Sequence, residues 1–170
     1  LEHRGAVSSD GKTGDGAGIL IEIPHDFFVK QCNFELPDSY EYAVGMVFLP
    51  QKINQLNYCV EIFEKEITKQ GLDIVGWSSV PVNSKVVGSI AAKTQPVIKQ
   101  VFIGKNNTQL TDIEFNTKLF IARKIAENEI YNSVLHQKNY FYFSSLHNRT
   151  LIYKGLLIPE DIDRFYLDLK

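Results

Sequence analysis

The feature that most constrains the fold is the glycine-rich opening of the chain, which leads directly into an apolar strand. Five glycines stand between Gly5 and Gly18, and residues 19–23 that follow are apolar apart from one glutamate. Glycine is used where φ must be positive or where another backbone or a ligand comes close. The spacing therefore predicts a tightly shaped loop at this point and not a flexible linker.

Phosphate binding is the first function to test against these glycines. Gly11, Lys12 and Thr13 match the end of a phosphate-binding loop, but Ala6 stands where that motif needs its first glycine. Such loops open a helix whose first amide groups meet the phosphate. Here a strand follows the glycines instead, so the pattern argues against a nucleotide site.

Metal and redox sites are also disfavoured by spacing. The four histidines are far apart in sequence, and none has a second ligand at a helix or hairpin interval. The two cysteines, Cys32 and Cys59, stand in no metal or redox spacing. Cys59 falls among apolar residues at helical intervals, which predicts a small buried hydrophobe. Cys32 is predicted to be an inert thiol.

Length and charge limit the class of protein. A chain of 170 residues has the size of one domain, so a single domain over residues 1–170 is predicted. The net charge of −2 gives no electrostatic case for nucleic acid or a membrane surface, and no apolar run has the length of a membrane span. The first residue is leucine, from which we expect the chain to be part of a longer protein.

Apolar periodicity and Pro/Gly punctuation predict a mixed series of elements. The strands are expected at residues 18–23, 42–49, 72–80, 96–103, 140–146 and 149–154, the last two as a hairpin. Helices are expected at residues 25–31, from Ile53 to a cap at Gly71, from Thr111 to about Ile130, and at 160–167. Residues 83–93 are ambiguous, with a bend at Gly88.

The helix that begins at Thr111 has the clearest start signal of the chain. Thr111 and Glu114 have the spacing of a capping box ahead of an apolar periodic run. The spacing predicts that one face of this helix is buried, with Ile121 and Ile125 widening that face. The residues expected on it are Phe115, Leu119, Ala122 and Ala126.

Several blocks of the sequence resemble one known family from end to end. They include residues 1–6 (LEHRGA), 13–19 (TGDGAGI), 42–50 (YAVGMVFLP), 96–103 (PVIKQVFI) and 145–156 (SLHNRTLIYKGL). In this order they are similar to the class II glutamine amidotransferase domain of glutamate synthase large chains. The resemblance implies an α+β fold, the four-layer αββα sandwich of the N-terminal-nucleophile type, here incomplete at both ends.

The resemblance also implies a chemistry. In that family an N-terminal cysteine attacks the side-chain amide of glutamine, with its own α-amino group as the base. Ammonia then passes to a flavin site, where 2-oxoglutarate becomes glutamate. The nucleophile is expected upstream of Leu1, and the substrate-binding arginine and an Asn-Gly oxyanion segment are expected beyond Lys170. We therefore expect residues 1–170 alone to be inactive.

Four residues can be carried over from the resemblance. Arg4 is expected near the nucleophile, in a supporting electrostatic role, with loop anchoring as an equal alternative. Gly5, Asp15 and Gly16 are expected to shape the substrate pocket, with a purely structural role as the favoured alternative for Asp15 and Gly16. Arg149 is expected to be structural.

The resemblance implies no cofactor in this segment, and FMN with an iron–sulfur cluster in the rest of the enzyme. The implied partners are glutamine, the remaining domains of the same polypeptide, and an electron-donor protein or subunit, with no nucleic acid and no membrane. The implied location is the cytoplasm, or the plastid stroma for a plastid enzyme. The alternative function is a non-catalytic scaffold or channel-forming segment of a larger protein.

Overall fold

The computed structural model describes residues 13–106 and 109–170, in which strands and helices alternate along the chain. The strands are β1 (Ala17–Glu22), β2 (Tyr42–Leu49), β3 (Asp73–Ser79), β4 (Val97–Gly104), β5 (Tyr142–His147) and β6 (Thr150–Gly155). The helices are α1 (His25–Gln31), α2 (Ile53–Lys69), α3 (Ser89–Lys93), α4 (Asp112–Tyr131) and α5 (Ile162–Phe165). Short 3-10 turns lie at Lys138–Tyr140, Pro159–Asp161 and Leu167–Leu169.

The strands form two sheets. Four of them make one sheet in the order β3-β4-β2-β5, and β1 pairs with β6 in a second, two-stranded sheet. Strand β2 is antiparallel to β4, from Tyr42 opposite Gly104 to Leu49 opposite Val97. It is also antiparallel to β5, with a register shift between Met46 and Val47. The α+β class is confirmed, whereas the four-layer sandwich stays a prediction.

Helices α2 and α4 cover one face of the four-stranded sheet. Alternate residues of β2 point to the same face. One hydrophobic cluster therefore joins strand residues such as Ala43 and Val47 to Phe63 of α2 and Phe115 of α4, all fully buried. The opposite face of β2 is buried as well, since Val44 and Met46 are 0% exposed. A strand that is apolar on both faces is typical of a sheet covered on both sides.

The predicted start of α4 and the predicted cap of α2 are confirmed. The helix expected at 160–167 is shorter than predicted, because α5 spans only Ile162–Phe165 between two 3-10 turns. The Thr111 hydroxyl accepts a hydrogen bond from the Glu114 N–H at 3.3 Å, and the Glu114 carboxylate accepts one from the Thr111 N–H at 2.9 Å. These bonds satisfy two of the amide groups that a helix leaves unpaired at its beginning. Gly71 follows the end of α2 with a φ of +72°, which is the left-handed position of a helix cap.

The predicted hairpin of the last two strands is wrong, because β5 and β6 belong to different sheets. The linking residues, His147, Asn148 and Arg149, are named here the β5–β6 corner. The Asn148 N–H donates to Asn116 Oδ1 of α4 at 3.2 Å, and Asn116 Nδ2 donates back to Asn148 Oδ1 at 2.8 Å. The Arg149 carbonyl accepts from the N–H of Ile23 at 2.9 Å. Other segments thus satisfy the backbone groups that a hairpin would have paired.

The buried face of α4 is narrower than the sequence predicts. Phe115, Leu119, Ala122 and Ala126 are all 0% exposed, as predicted. Ile121 and Ile125, which were expected to widen that face, are instead 39% and 43% exposed. Both lie on the solvent side of the helix.

The chain contacts divide into two compact units, one made of Ile21–Ser78 with Pro96–Leu151 and one made of Ser79–Gln95, Ile152–Lys170 and the segment up to Leu20. The first unit contains α2, α4 and most of the four-stranded sheet. In the second, Tyr166 packs edge-on against Tyr153 with ring centroids 4.9 Å apart and donates its hydroxyl to the Lys154 carbonyl. One domain over residues 1–170 stays a prediction.

Within residues 13–106 and 109–170, no helix has the length and apolar character needed to cross a membrane.

Candidate functional site

The glycine turn, residues 14–18, is the first candidate because it holds two of the four predicted site residues. Gly14 lies so close to the chain at Leu157 that a Cβ there would sit 2.3 Å from the Leu157 carbonyl oxygen. Gly16 has a φ of +138°, which side-chain-bearing residues rarely adopt. The turn is therefore held by close backbone packing at one glycine and by backbone conformation at the other.

The predicted site residues are only partly placed by the structure. Asp15 and Gly16 lie on the exposed side of the glycine turn. Arg4 and Gly5 lie outside the described residues, as do Gly11 and Lys12. The structure therefore brings Asp15 and Gly16 together in a shaped, solvent-facing turn.

The second candidate is a cluster of charged side chains that the sequence reading missed, apart from Arg149. The Lys105 ammonium lies 3.2 Å from Glu41 Oε1 and 3.6 Å from Asp112 Oδ1, and the Lys105 side chain is only 7% exposed. The Arg149 guanidinium donates to Asp112 Oδ2 from Nε at 3.0 Å and from Nη2 at 2.6 Å. We call Glu41, Lys105, Asp112 and Arg149 the ion cluster.

The charges of the ion cluster balance, with two cations against two carboxylates. The hydrogen bonds from Arg149 hold the pKa of the Asp112 carboxyl below its ordinary value, so the pair stays ionised at neutral pH. A guanidinium already bound to a carboxylate is poorly available to bind the carboxylate of a substrate. This arrangement supports the structural role expected for Arg149.

Two residues next to the ion cluster have an uncommon backbone conformation. Tyr40, which precedes Glu41, has a φ of +70°, and Asn106, which follows Lys105, has a φ of +56°. Asparagine tolerates this region, whereas for tyrosine it is an outlier. Tyr40 is held there from two sides, since Arg149 stacks 4.5 Å above its ring and its hydroxyl donates to Glu22 Oε1 at 3.0 Å.

One sequence signal could have located part of this cluster. Glu41 directly precedes β2 and Lys105 directly follows β4, and the register places their neighbours Tyr42 and Gly104 opposite each other. An antiparallel pairing of these two predicted strands therefore brings the two charges together. Asp112 and Arg149 carry no such signal, because their approach depends on where α4 packs.

An open groove of about 490 Å³ lies beside the ion cluster, between α4 and the β5–β6 corner. Ile113, Asn116 and Phe120 line it from the helix, and His147 and Arg149 line it from the corner. His147 is partly buried, and its Nδ1 accepts a hydrogen bond from the Arg149 N–H at 3.1 Å. Burial, reinforced by the Arg149 charge and opposed by Asp112, lowers the pKa of His147.

The lowered pKa of His147 makes stability depend on pH in a defined direction. The unfolded chain binds a proton at this histidine more readily than the folded chain. The free energy of unfolding is therefore highest above the ordinary histidine pKa of about 6.5 and decreases as the pH drops below it. We expect a lower urea midpoint at pH 5.5 than at pH 7.5. His147→Asn should reduce this difference, because asparagine can accept the same i+2 N–H without titrating. If the urea midpoints of His147→Asn at pH 5.5 and pH 7.5 differ as much as those of the unsubstituted chain, His147 is not the source of the pH dependence.

The described residues offer no metal centre: no three His, Cys, Asp or Glu side chains among them are grouped so as to bind an ion. Both cysteines are described. Burial raises the pKa of the Cys32 thiol, and it raises that of Cys59 to about 12. A nucleophilic cysteine needs a lowered pKa and a basic neighbour, so neither thiol has the environment of a reactive one.

Comparison with known protein families shows that residues 1–170, the whole chain, match the class-II glutamine amidotransferases. The chain is 43% identical over 171 residues to the glutamate synthase [NADPH] large chain of Bacillus subtilis, covering 100% of this chain and 11% of that protein. The corresponding large chain of Azospirillum brasilense is 42% identical over 171 residues, covering 98% and 11%.

A plant relative gives the same result. The ferredoxin-dependent glutamate synthase 1, chloroplastic/mitochondrial, of Arabidopsis thaliana is 38% identical over 173 residues, covering 100% of this chain and 10% of that protein. The chain thus spans about a tenth of the length of these relatives. The resemblance inferred from the sequence blocks is confirmed.

Proposed function

The chain belongs to the class-II glutamine amidotransferases, and from that premise we propose that it is part of the glutaminase domain of a glutamate synthase. The observation that carries the proposal is the sequence identity of the chain to glutamate synthases, which is 35–43% over essentially its whole length. The proposed domain hydrolyses glutamine to glutamate and ammonia. The ammonia is then used for the reductive amination of 2-oxoglutarate elsewhere in the same protein.

The proposed reaction proceeds through a thioester. A cysteine thiolate attacks the side-chain amide carbon of glutamine, the C–N bond breaks, and the nitrogen leaves as ammonia after taking up a proton. Water then hydrolyses the thioester, which releases glutamate and restores the thiol. Hydrogen-bond donors directed at the amide oxygen stabilise the negative charge that develops on it.

The nucleophile is proposed to come from outside residues 1–170. Cys32 and Cys59 are the two cysteines of the chain, and burial raises the pKa of both thiols. Neither has an α-amino group to act as its base, because both stand inside the chain. We therefore propose that residues 1–170 alone do not hydrolyse glutamine.

The glycine turn is proposed to form part of the substrate pocket. Close packing at Gly14 and the positive φ of Gly16 support a turn with one fixed shape, on which Asp15 is presented to solvent. Gly5 is assigned to the same pocket. Arg4 is proposed to stabilise the thiolate or the developing negative charge, on the basis of the family resemblance.

The complete domain is proposed to be a four-layer αββα sandwich. Burial of both faces of β2 supports this arrangement, because a sheet inside a sandwich is covered on both sides. Antiparallel pairing of β2 with β4 and β5 is also in keeping with it. Residues 1–170 are proposed to form one part of that domain.

FMN and the iron–sulfur cluster are proposed to bind in the remainder of the enzyme. An iron–sulfur cluster commonly needs four cysteine thiolates, whereas this chain has two cysteines. The electron donor is proposed to be a separate protein, a subunit or a nicotinamide. The relatives' names include both NADPH and ferredoxin. The proposed location is the cytoplasm, or the plastid stroma in a plant.

Glutamine-dependent ammonia release by the full-length polypeptide tests the proposed function. We expect release that is stoichiometric with glutamate formation, and none above a heat-inactivated control from residues 1–170 alone. The full-length protein should lose the activity after alkylation of its thiols by a glutamine analogue, whereas an alkylated Cys32 or Cys59 should not be found. Absence of ammonia release from the full-length protein would leave the scaffold function.

A further inference from the structure

A second groove, of about 540 Å³, lies beside the C-terminal half of α4, next to the 3-10 turn Lys138–Tyr140 and the start of β5. Three of the side chains that line it are cations, Arg123, Lys124 and Lys138. Glu127 is the one carboxylate among the described residues that line it. Cations thus outnumber carboxylates by two here, whereas in the ion cluster the two are equal in number. We call this the cationic groove.

Two of the cations converge on one point of the groove. Glu127 Oε1 accepts a hydrogen bond from Arg123 Nε at 2.7 Å, and Glu127 Oε2 accepts one from Lys124 Nζ at 2.8 Å. The Phe143 carbonyl also accepts from Arg123 Nη2 at 3.2 Å, and the guanidinium lies 5.5 Å from the centre of the Phe143 ring. Arg123 is therefore held in one position, beside Lys124, and the single carboxylate between them compensates one of their two charges.

Lys138 brings the third cation from the 3-10 turn. Its ammonium donates to the Ser133 carbonyl at 3.2 Å and lies 5.4 Å from the centre of the Tyr131 ring. Neither of these partners carries a negative charge, so they leave the charge of Lys138 uncompensated. Tyr131 and Tyr142, which are 66% and 39% exposed, give the groove two aromatic walls.

We propose that the cationic groove binds the phosphoryl group of a small metabolite. A phosphoryl group carries a charge of about −1.5 to −2 at neutral pH and three acceptor oxygens, which match two uncompensated charges and three cationic side chains. The carboxylate of an amino acid carries one charge, so it would leave one cation uncompensated. Arginine and lysine both bind phosphate through charge-assisted hydrogen bonds. The inference goes beyond the proposed function, because the groove contains none of the residues assigned to the glutamine pocket.

The size of the groove admits two sources of the phosphoryl group. Its volume lies within the range of about 300–1,000 Å³ that is typical of small-molecule sites. Free phosphate would contact the cations alone. A nucleotide would make the same contacts and would also place its base against Tyr131 or Tyr142, since bases stack on aromatic side chains.

Acetylation of individual lysines in the full-length polypeptide, followed by peptide mass spectrometry, tests this site. Lys69 is a matched control for Lys124, because each side chain is 55% exposed and is paired with a glutamate three residues away, at 2.6 Å and 2.8 Å. Rates are compared in chloride, inorganic phosphate, AMP and malonate at one ionic strength. At saturating phosphate we expect Lys124 and Lys138 to react at least about fivefold more slowly than in chloride, and Lys69 to be unchanged.

The other anions identify the chemistry of the ligand. Stronger protection by AMP than by inorganic phosphate supports a nucleotide, and equal or weaker protection supports free phosphate. Malonate, a dicarboxylate, should protect Lys124 and Lys138 only at higher concentrations than phosphate. Equal protection by malonate, equal slowing of all three lysines, or no slowing in phosphate would overturn the proposal.

Two substitutions test the stated contacts. Glu127→Gln removes the carboxylate that competes with the ligand, so half-protection of Lys138 should need about tenfold less phosphate. Lys138→Gln removes one cation, so half-protection of Lys124 should need about tenfold more, whereas Lys69→Gln makes the same charge change and should have no effect. An unchanged concentration in either groove variant would overturn the proposal. The measurement needs no catalysis, so its failure is distinguishable from a failure of the glutaminase assay.

Discussion

Phe115→Ala should lower the free energy of unfolding of the chain by about 3–5 kcal/mol. Phe115 is 0% exposed and lies in the cluster that joins α2, α4 and the four-stranded sheet. Truncation removes apolar contacts and leaves a cavity that the two helices and the sheet can only partly close. It also removes the ring that lies 5.8 Å from the ammonium of Lys105, a largely buried cation.

Urea denaturation measures this loss as a shift of the midpoint at an unchanged slope. Phe120→Ala is the matched control, since it makes the same change in the same helix at a side chain that is 60% exposed. In residues 1–170 we expect it to change stability by less than about 0.5 kcal/mol. Equal losses in the two variants would show that the inner and outer sides of α4 have been assigned wrongly.

The two sides of α4 also show where sequence reasoning reaches its limit. The start of the helix was predictable because Thr111 and Glu114 are three residues apart and bond each other. The orientation of the helix about its own axis was harder to predict than its start. Ile121 and Ile125 are apolar and adjoin the core positions in the periodic pattern, so periodicity alone assigned them to the core. Packing against the sheet settles which apolar side faces inward.

Strand pairing was the other part of the fold that local patterns could not decide. The bounds of β2 and α1 follow from flanking prolines and apolar runs, and the observed bounds agree with the prediction. The predicted strands at 140–146 and 149–154 are so close in sequence that a hairpin is favoured. The chain instead changes sheets there, because the partner of the Asn148 backbone is Asn116, 32 residues away along the chain.

The candidate site also has one part that was predictable from the sequence and one that was not. The glycine turn was visible in the sequence because glycine itself signals close approach or positive φ. The ion cluster was not visible, because Glu41, Lys105 and Asp112 are dispersed along the chain and charged residues at the ends of elements are common. The family resemblance implies a structural role for Arg149, but the position of its partner Asp112 depends on how α4 packs.

Gly14→Ala should destabilise the chain by about 3 kcal/mol and impair the proposed glutaminase. The new methyl group would lie 2.3 Å from the Leu157 carbonyl oxygen and 2.7 Å from the Ile158 nitrogen. Both are backbone atoms that no side-chain rotation can move aside, so one of the two segments must shift. Overpacking of this kind lowers the free energy of unfolding by about 3 kcal/mol. Because Asp15 and Gly16 follow directly, the shift would displace the turn assigned to the substrate pocket.

Gly104→Ala provides the control for this substitution. There the new methyl group would meet Val75 Cγ2 at 3.4 Å, an ordinary contact, so we expect less than about 1 kcal/mol of change. In the full-length enzyme Gly14→Ala should lower kcat/KM for glutamine by about a hundredfold, since a displacement near 1 Å has that effect on a positioned substrate. A Gly14→Ala protein as stable and active as Gly104→Ala would show that the contact at Leu157 has neither a structural nor a catalytic consequence.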